Sequence, residues 1–211
     1  MSQHDDFSKG LTEYDGQKRD YDEHRHLRPY NGDKGDNTHN GSSGGDVYRG
    51  GHGNDTWRGK SGDDWAWGQN GNDKLWGDNG SDHNYGGRGD DEGRGGNGND
   101  WWWGHGGHDK GWGDNGHDEM HGGSGDDEHH GGRGEDTLWG DNGHDSQWGD
   151  DDDDTMHGGG GDDHHWGGKG DDTHDGGSGS DTYHFGEGDG HDMVTDYDPG
   201  RDHIVVEGKT E

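Results

Sequence analysis

Apolar and charged side chains keep separate, regularly spaced places along this chain. From Gly32 to His184 the sequence divides into seventeen consecutive nine-residue units without insertion or deletion. The eighth position of a unit never carries Asp, Glu, Lys or Arg. It holds Tyr48, Trp57, Ala66, Leu75, Trp102, Met120, Leu138, Met156 and Tyr183, interspersed with His39, Asn84, His129, Gln147, His165, His174, Gly93 and Gly111. The seventh position does take charge, at Lys74, Glu92, Lys110, Glu119 and Glu128, and so does the ninth, at Arg49, Arg58, Arg94 and Asp175. Position one is Gly throughout, position four is Gly except at Asp152, and position six is Asp except at Asn37. A beat that holds phase this long predicts one short element repeated and stacked. A solvated acidic linker would need no phase.

Units such as GGHGNDTWR, GGRGEDTLW and GGSGSDTYH resemble the G-G-x-G-x-D-x-U-x nonapeptide of the repeats-in-toxin (RTX) family, over about three-quarters of the chain. The resemblance implies an all-β fold: a right-handed parallel β-roll, a calcium-binding β-solenoid, with short C-terminal capping strands. In that fold six residues turn around calcium, three form a strand, and the next unit returns on the opposite side, so one coil takes eighteen residues. With the strand at positions seven to nine, position eight faces inward and its neighbours outward. The family prefers a large aliphatic residue there, and nearly half of the inward positions depart from it. The expectation is a narrow, partly wet core whose buried polar groups must find hydrogen bonds or cost about 1–3 kcal/mol each.

Composition sharpens this. Only 16% of the residues are hydrophobic, against about 45–50% in ordinary domains. With 53 glycines and a formal charge of −33, the chain alone cannot offset its ordering entropy. Calcium takes about six to eight hard oxygens from carboxylates and carbonyls. The candidate ligands are the position-six aspartates: Asp46, Asp55, Asp64, Asp73, Asp82, Asp91, Asp100, Asp109, Asp118, Asp127, Asp136, Asp145, Asp154, Asp163, Asp172 and Asp181. Coil neighbours lie eighteen residues apart, so Asp55 should pair with Asp73 and Asp64 with Asp82. Leaving out the gap at Asn37, about fourteen Ca2+ ions fit between the turns and bring the net charge to roughly −5. Ion binding then becomes folding free energy. The run Asp150–Asp154 places Asp152 where the turn wants Gly, which either adds carboxylates to an ion or distorts the turn.

Position nine carries Trp67, Trp76, Trp103, Trp112, Trp139, Trp148 and Trp166, with Tyr85 among them. On neighbouring strands, about 4.7–4.9 Å apart, Trp148 can stack on Trp166 and Trp67 on Tyr85, and Arg58 can lie over Trp76. Two readings stand: packing that compensates a weak core, or an exposed aromatic platform for a glycan or other cell-surface ligand. Histidines are numerous, but the outer column that holds His130 sets Trp148 beside it, so no histidine pair arises there; Zn2+ or Ni2+ binding is expected only as incidental. For catalysis nothing assembles. Gly93, Gly95 and Gly98 spell G-x-G-x-x-G and Gly41–Gly45 fits G-x-S-x-G, both without the strand–turn–helix setting such motifs need. The expectation is a protein that is not an enzyme.

The domain division read from the chain is an irregular leader or cap over 1–31, the roll over 32–184 and a capping segment over 185–211. The last segment leaves the repeat phase and holds the densest apolar run, with Phe185, Met193, Val194, Tyr197, Ile204, Val205 and Val206. The absence of Cys excludes disulfides and thiolate zinc sites. The acid excludes broad nucleic-acid binding, and no apolar window could span a membrane. The resemblance implies export by a type I system to the extracellular space, which agrees with an N-terminus lacking a secretory leader. Only GKTE follows the stretch 185–207, so the expectation is that a complete C-terminal signal of that system is absent or reduced. Three functions follow in order: a secreted roll whose folding calcium drives, an adhesin or carbohydrate-binding module, and a disordered acidic ion buffer.

Overall fold

The computed structural model describes residues 29–208; most of the 1–31 segment and the final three residues lie outside them. Among the described residues there are twenty strands and no helix. Successive strands alternate between two ten-stranded sheets, odd-numbered strands in sheet one and even-numbered strands in sheet two, all pairs parallel. Sheet one begins with β1 (Tyr30–Asn31) and β3 (Val47–His52), and sheet two with β2 (Thr38–Asn40) and β4 (Thr56–Arg58). Register advances by eighteen: Tyr48 opposes Ala66, and His165 opposes Tyr183. This is the expected parallel β-roll.

The strands are longer than the three residues expected. Most run six, as in β6 (Lys74–Asn79) and β10 (Lys110–Asn115), because pairing resumes at positions two and three after a break at the position-one glycine. Each strand is therefore two short ladders separated at a glycine.

Position eight fills the space between the sheets. Tyr48, Trp57, Ala66, Leu75, Trp102, Met120, Leu138 and Met156 form one buried cluster. The two glycines in this column are complementary to it rather than defects. A Cβ on Gly93 would overlap the Trp102 ring, and one on Gly111 would lie 2.6 Å from Trp102 Cδ1, so the indole occupies the room both leave. The polar members are buried too, apart from half-buried His39 near the N-terminal end. Asn84 donates to the Arg94 carbonyl at 3.4 Å and Gln147 to that of His157 at 3.1 Å. The ring nitrogens of His129, His165 and His174 have no hydrogen-bond partner among the described residues. Burial pushes these imidazoles down, His129 and His165 to about 3 and His174 to about 4, so they are neutral.

Beyond the repeats, the chain stays in the ladders. β19 (Met193–Val194) pairs with β17 (Thr173–Ser178) at a spacing of twenty, and β20 (His203–Val206) pairs with β18 (Thr182–Phe185) at twenty-one. The last two strands thus lengthen each sheet by one, and do not pair with each other across the end. Asp196 completes the closure: its carboxylate accepts from Gly176 N–H (3.1 Å), Gly177 N–H (2.6 Å) and the Tyr183 hydroxyl (3.2 Å). A further coil would otherwise supply such acceptors.

Candidate metal centre

From the third unit onward, every turn follows one construction. Position four takes a left-handed conformation, as at Gly80 (φ 136°), which glycine adopts without steric cost. Asp152 adopts it as well (φ 84°), and its Oδ2 accepts from Gly134 N–H at 3.1 Å, so the acidic run leaves the turn path intact. Position two is left-handed even where it is Lys60, Gln69, Asp78, His105, Asp114, Asp141 or Asp150 (φ 71–84°), a conformation that costs L-residues about 1–2 kcal/mol. Position one needs glycine for a different reason. A Cβ on Gly59 would overlap Asp64 Oδ2 and lie 2.7 Å from the Gly77 carbonyl oxygen of the next coil. Two oxygens therefore converge beside a bare Cα.

The aspartates form two columns, one along each edge of the roll. Asp55 N–H donates to Asp73 Oδ1 at 2.7 Å and Asp64 N–H to Asp82 Oδ1 at 2.8 Å, and the series runs on to Asp163 N–H on Asp181 Oδ1 at 2.9 Å. The second oxygen is different. Oδ2 of all fourteen consecutive aspartates from Asp55 to Asp172 is buried and has no hydrogen-bond partner. None of the ion pairs among the described residues reaches a position-six carboxylate; they involve outer groups, such as Arg58 with Asp78 and Arg94 with Asp114. Asp46, half-buried at the N-terminal end, instead accepts from Ser42 N–H (2.6 Å) and Oγ (2.9 Å). Asn37 occupies its turn with its side-chain amide directed at Asp55 Oδ1, 3.1 Å away.

Burial lifts these carboxyls far above the ordinary range, and neighbouring carboxylates add to the effect. Asp73 rises to about 6, Asp64 to about 7, Asp91, Asp100 and Asp145 to about 8, and Asp154 to about 9, against the lowering effect of the backbone N–H on Oδ1. A buried anion without a counter-charge is costly. Anionic, hard, regularly repeated oxygens are the donor chemistry that suits a calcium-type cation, so the residues present fit such an ion.

Two features of the turn were not legible in the sequence. Asp192 and Asp202 take the position-six place in the final strands, accepting from Asp172 N–H at 3.1 Å and Asp181 N–H at 3.2 Å. Phase shifts of two and then, cumulatively, three residues hide them from a strict nine-residue count, although D-M-V and D-H-I repeat the local order of an acid followed two residues later by an apolar residue in register with position eight. The other feature is a second ladder at position five. Asn72 N–H donates to Asn54 Oδ1 (2.9 Å), Ser81 N–H to Asp63 Oδ1 (3.0 Å) and Asp126 N–H to His108 Nδ1 (2.9 Å). An acceptor side chain in this column is the signal for it.

On the outer faces the aromatic rings stack on one another. Trp148 and Trp166 lie 4.5 Å apart at 6°, Trp67 and Tyr85 5.4 Å at 6°, and His121 and Trp139 4.3 Å at 1°. A second row, Trp65–His83–Trp101, stacks beside the first at 3.9 and 4.5 Å. Arg49 lies over the Trp67 indole (5.1 Å) and Lys74 over that of Trp76 (6.0 Å), the ring expected to meet Arg58; Arg58 is held by Asp78. Ring faces are mostly turned to neighbouring rings.

No described helix is long and apolar enough to cross a membrane. A search of curated proteins returned no match. A family profile described as the RTX calcium-binding nonapeptide repeat matches in overlapping blocks, from residues 49–83 through 85–120 and 121–156 to 157–194. With the nine-residue turn, the two parallel sheets and the aspartate columns in place, this match makes the chain a member of the RTX calcium-binding repeat family.

Proposed function

We propose that this chain is a secreted, calcium-responsive roll whose turns close only when cations occupy the two aspartate columns. One observation carries the reading: fourteen successive carboxylate oxygens are buried without a partner. Calcium, when bound, supplies the positive charge that lets these aspartates remain ionised while buried. The ligands proposed are the position-six aspartates from Asp46 to Asp181, and the stoichiometry is about fourteen ions. The chain's own groups do the rest. Oδ1 fixes each carboxylate to the preceding coil, position-one glycines leave room for oxygens to converge, and left-handed turns at position four bend the backbone around that space. Without cations, mutual repulsion and desolvation of the aspartates oppose closure, and little apolar core resists them. Low cytosolic calcium then favours an expanded, exportable chain, and external calcium favours the roll.

The test is a calcium titration followed together by circular dichroism and Trp fluorescence, with EDTA reversal. A cooperative gain of β-signal is expected. A gradual response without structure would support the disordered buffer instead, and a β-signal indifferent to EDTA would remove the ion from the fold. The face-to-face stacking supports a packing role for the tryptophans; a glycan array on calcium-loaded protein tests the adhesin alternative.

A further inference from the structure

At the C-terminal end of sheet one, β17 and β19 gather a set of donors found nowhere else among the described residues. Asp172 at position six, His174 at position eight and Asp192 each place a ligand atom within 4.8 Å of the other two. Asp172 and His174 are 1% and 0% exposed. Asp172 Oδ2 and both ring nitrogens of His174 have no hydrogen-bond partner. An unpaired buried carboxylate oxygen and an unpaired buried imidazole are each costly, and a single ion bound by both would remove the two penalties together. The other fully buried histidines, His129 and His165, belong to no such group.

The imidazole changes which ion suits the place. All-oxygen turns favour calcium, whereas a neutral imidazole with two carboxylates is a donor set for zinc. Zinc binds nitrogen and oxygen at about 2.0–2.2 Å, which sets donors roughly 3.3 Å apart. Asp192 is half-buried at the edge of a two-residue strand, where a modest rotation can close the set. We propose that this end of the roll holds one Zn2+ ion on Asp172, His174 and Asp192, fastening β19 to β17.

The proposal rests on the calcium reading only in needing a folded roll, so the experiment begins with calcium-saturated protein whose β-signal has been recorded. Zinc chloride is then titrated in excess calcium against a chromophoric zinc chelator. One tight site per chain is expected, weakened at least about tenfold by His174→Gln and by Asp192→Asn. Glutamine already occupies an inward position at Gln147 and asparagine a turn position at Asn37, so at least one variant should keep the fold. His164→Asn is the control, because His164 Nδ1 and His184 Nε2 lie 3.3 Å apart on the surface and could bind zinc themselves; it should leave the tight site unchanged. Co2+ in place of Zn2+ should give the strong visible absorption of a low-coordinate site in the wild type and lose it in His174→Gln. Zinc affinity unchanged in both site variants, or lost in His164→Asn alone, overturns the proposal. Failure of the β-signal to develop in calcium counts against the calcium reading, whereas a developed β-signal with no tight zinc site counts against this one.

Discussion

A single methyl group separates two classes of glycine in this protein. A Cβ at Gly77 would overlap Asp82 Oδ2 and lie 2.6 Å from its Cγ, whereas at Gly44 nothing lies within 4 Å. Gly77→Ala is expected to destabilise the calcium-saturated roll by about 1–3 kcal/mol and to raise the calcium midpoint. Gly44→Ala should stay within about 0.5 kcal/mol. Equal effects in thermal melts would mean that position one is not kept clear for converging oxygens. At this scale much could be read directly: the period singles out position one, position four and Asp at position six, and the absence of charge singles out position eight. Position two was only partly legible. It is Gly in eight of the seventeen units, yet side chains as different as Lys60, Gln69 and His105 share its left-handed backbone, so residue type alone does not mark the conformation.

Stacked rings tie neighbouring strands together on the outside. Trp148 and Trp166 face each other at 4.5 Å and 6°, so a double-mutant cycle with alanine should return a coupling of about 0.5–1.5 kcal/mol. Thermal stability in saturating calcium is the readout; no coupling would leave the rings without a role in packing. The final strands yield a second prediction. Removing residues 185–211 takes away β19, β20 and Asp196, exposing the β17 and β18 edges, leaving the Gly177 N–H without its acceptor and the Gly176 N–H with the Tyr183 hydroxyl alone. The truncated chain should respond to calcium at a higher midpoint and with lower cooperativity. An unchanged midpoint would show that these strands do not support the roll. The apolar density of this end was plain in sequence, but its continuation of the ladders was not, because Asp192 and Asp202 stand two and three residues out of phase with the repeat. Trp102 teaches the same lesson inside: Gly93 and Gly111 looked like lost core until the indole was seen filling both places.

For the whole molecule, the aspartate columns set an unusual dependence on acidity. In the ion-free fold, burial raises these carboxyls from 3.8 to values between about 6 (Asp73) and about 9 (Asp154). Between those limits the folded chain holds more protons than the unfolded one, so stability is greatest below the ordinary carboxylate value and is lost as pH rises through the raised ones. In EDTA, the β-signal is expected to be stronger at pH 5 than at pH 8.5. With calcium the order should reverse, because the ion competes with protons for the same oxygens, and binding near pH 7 should release protons into a weakly buffered solution. A β-signal in EDTA that grows with pH would contradict this assignment of charge.

The direction of the carboxylate hydrogen bonds gives the roll a polarity. Each position-six N–H relies on a carboxylate that arrives one coil later, Asp55 on Asp73, Asp163 on Asp181, Asp172 on Asp192. Every coil is therefore a template for the one before it in sequence. A protease cut midway would leave the downstream fragment with its template intact and deprive the upstream fragment of one at its broken edge. Order in this protein is handed backward along the chain, from the last residues toward the first.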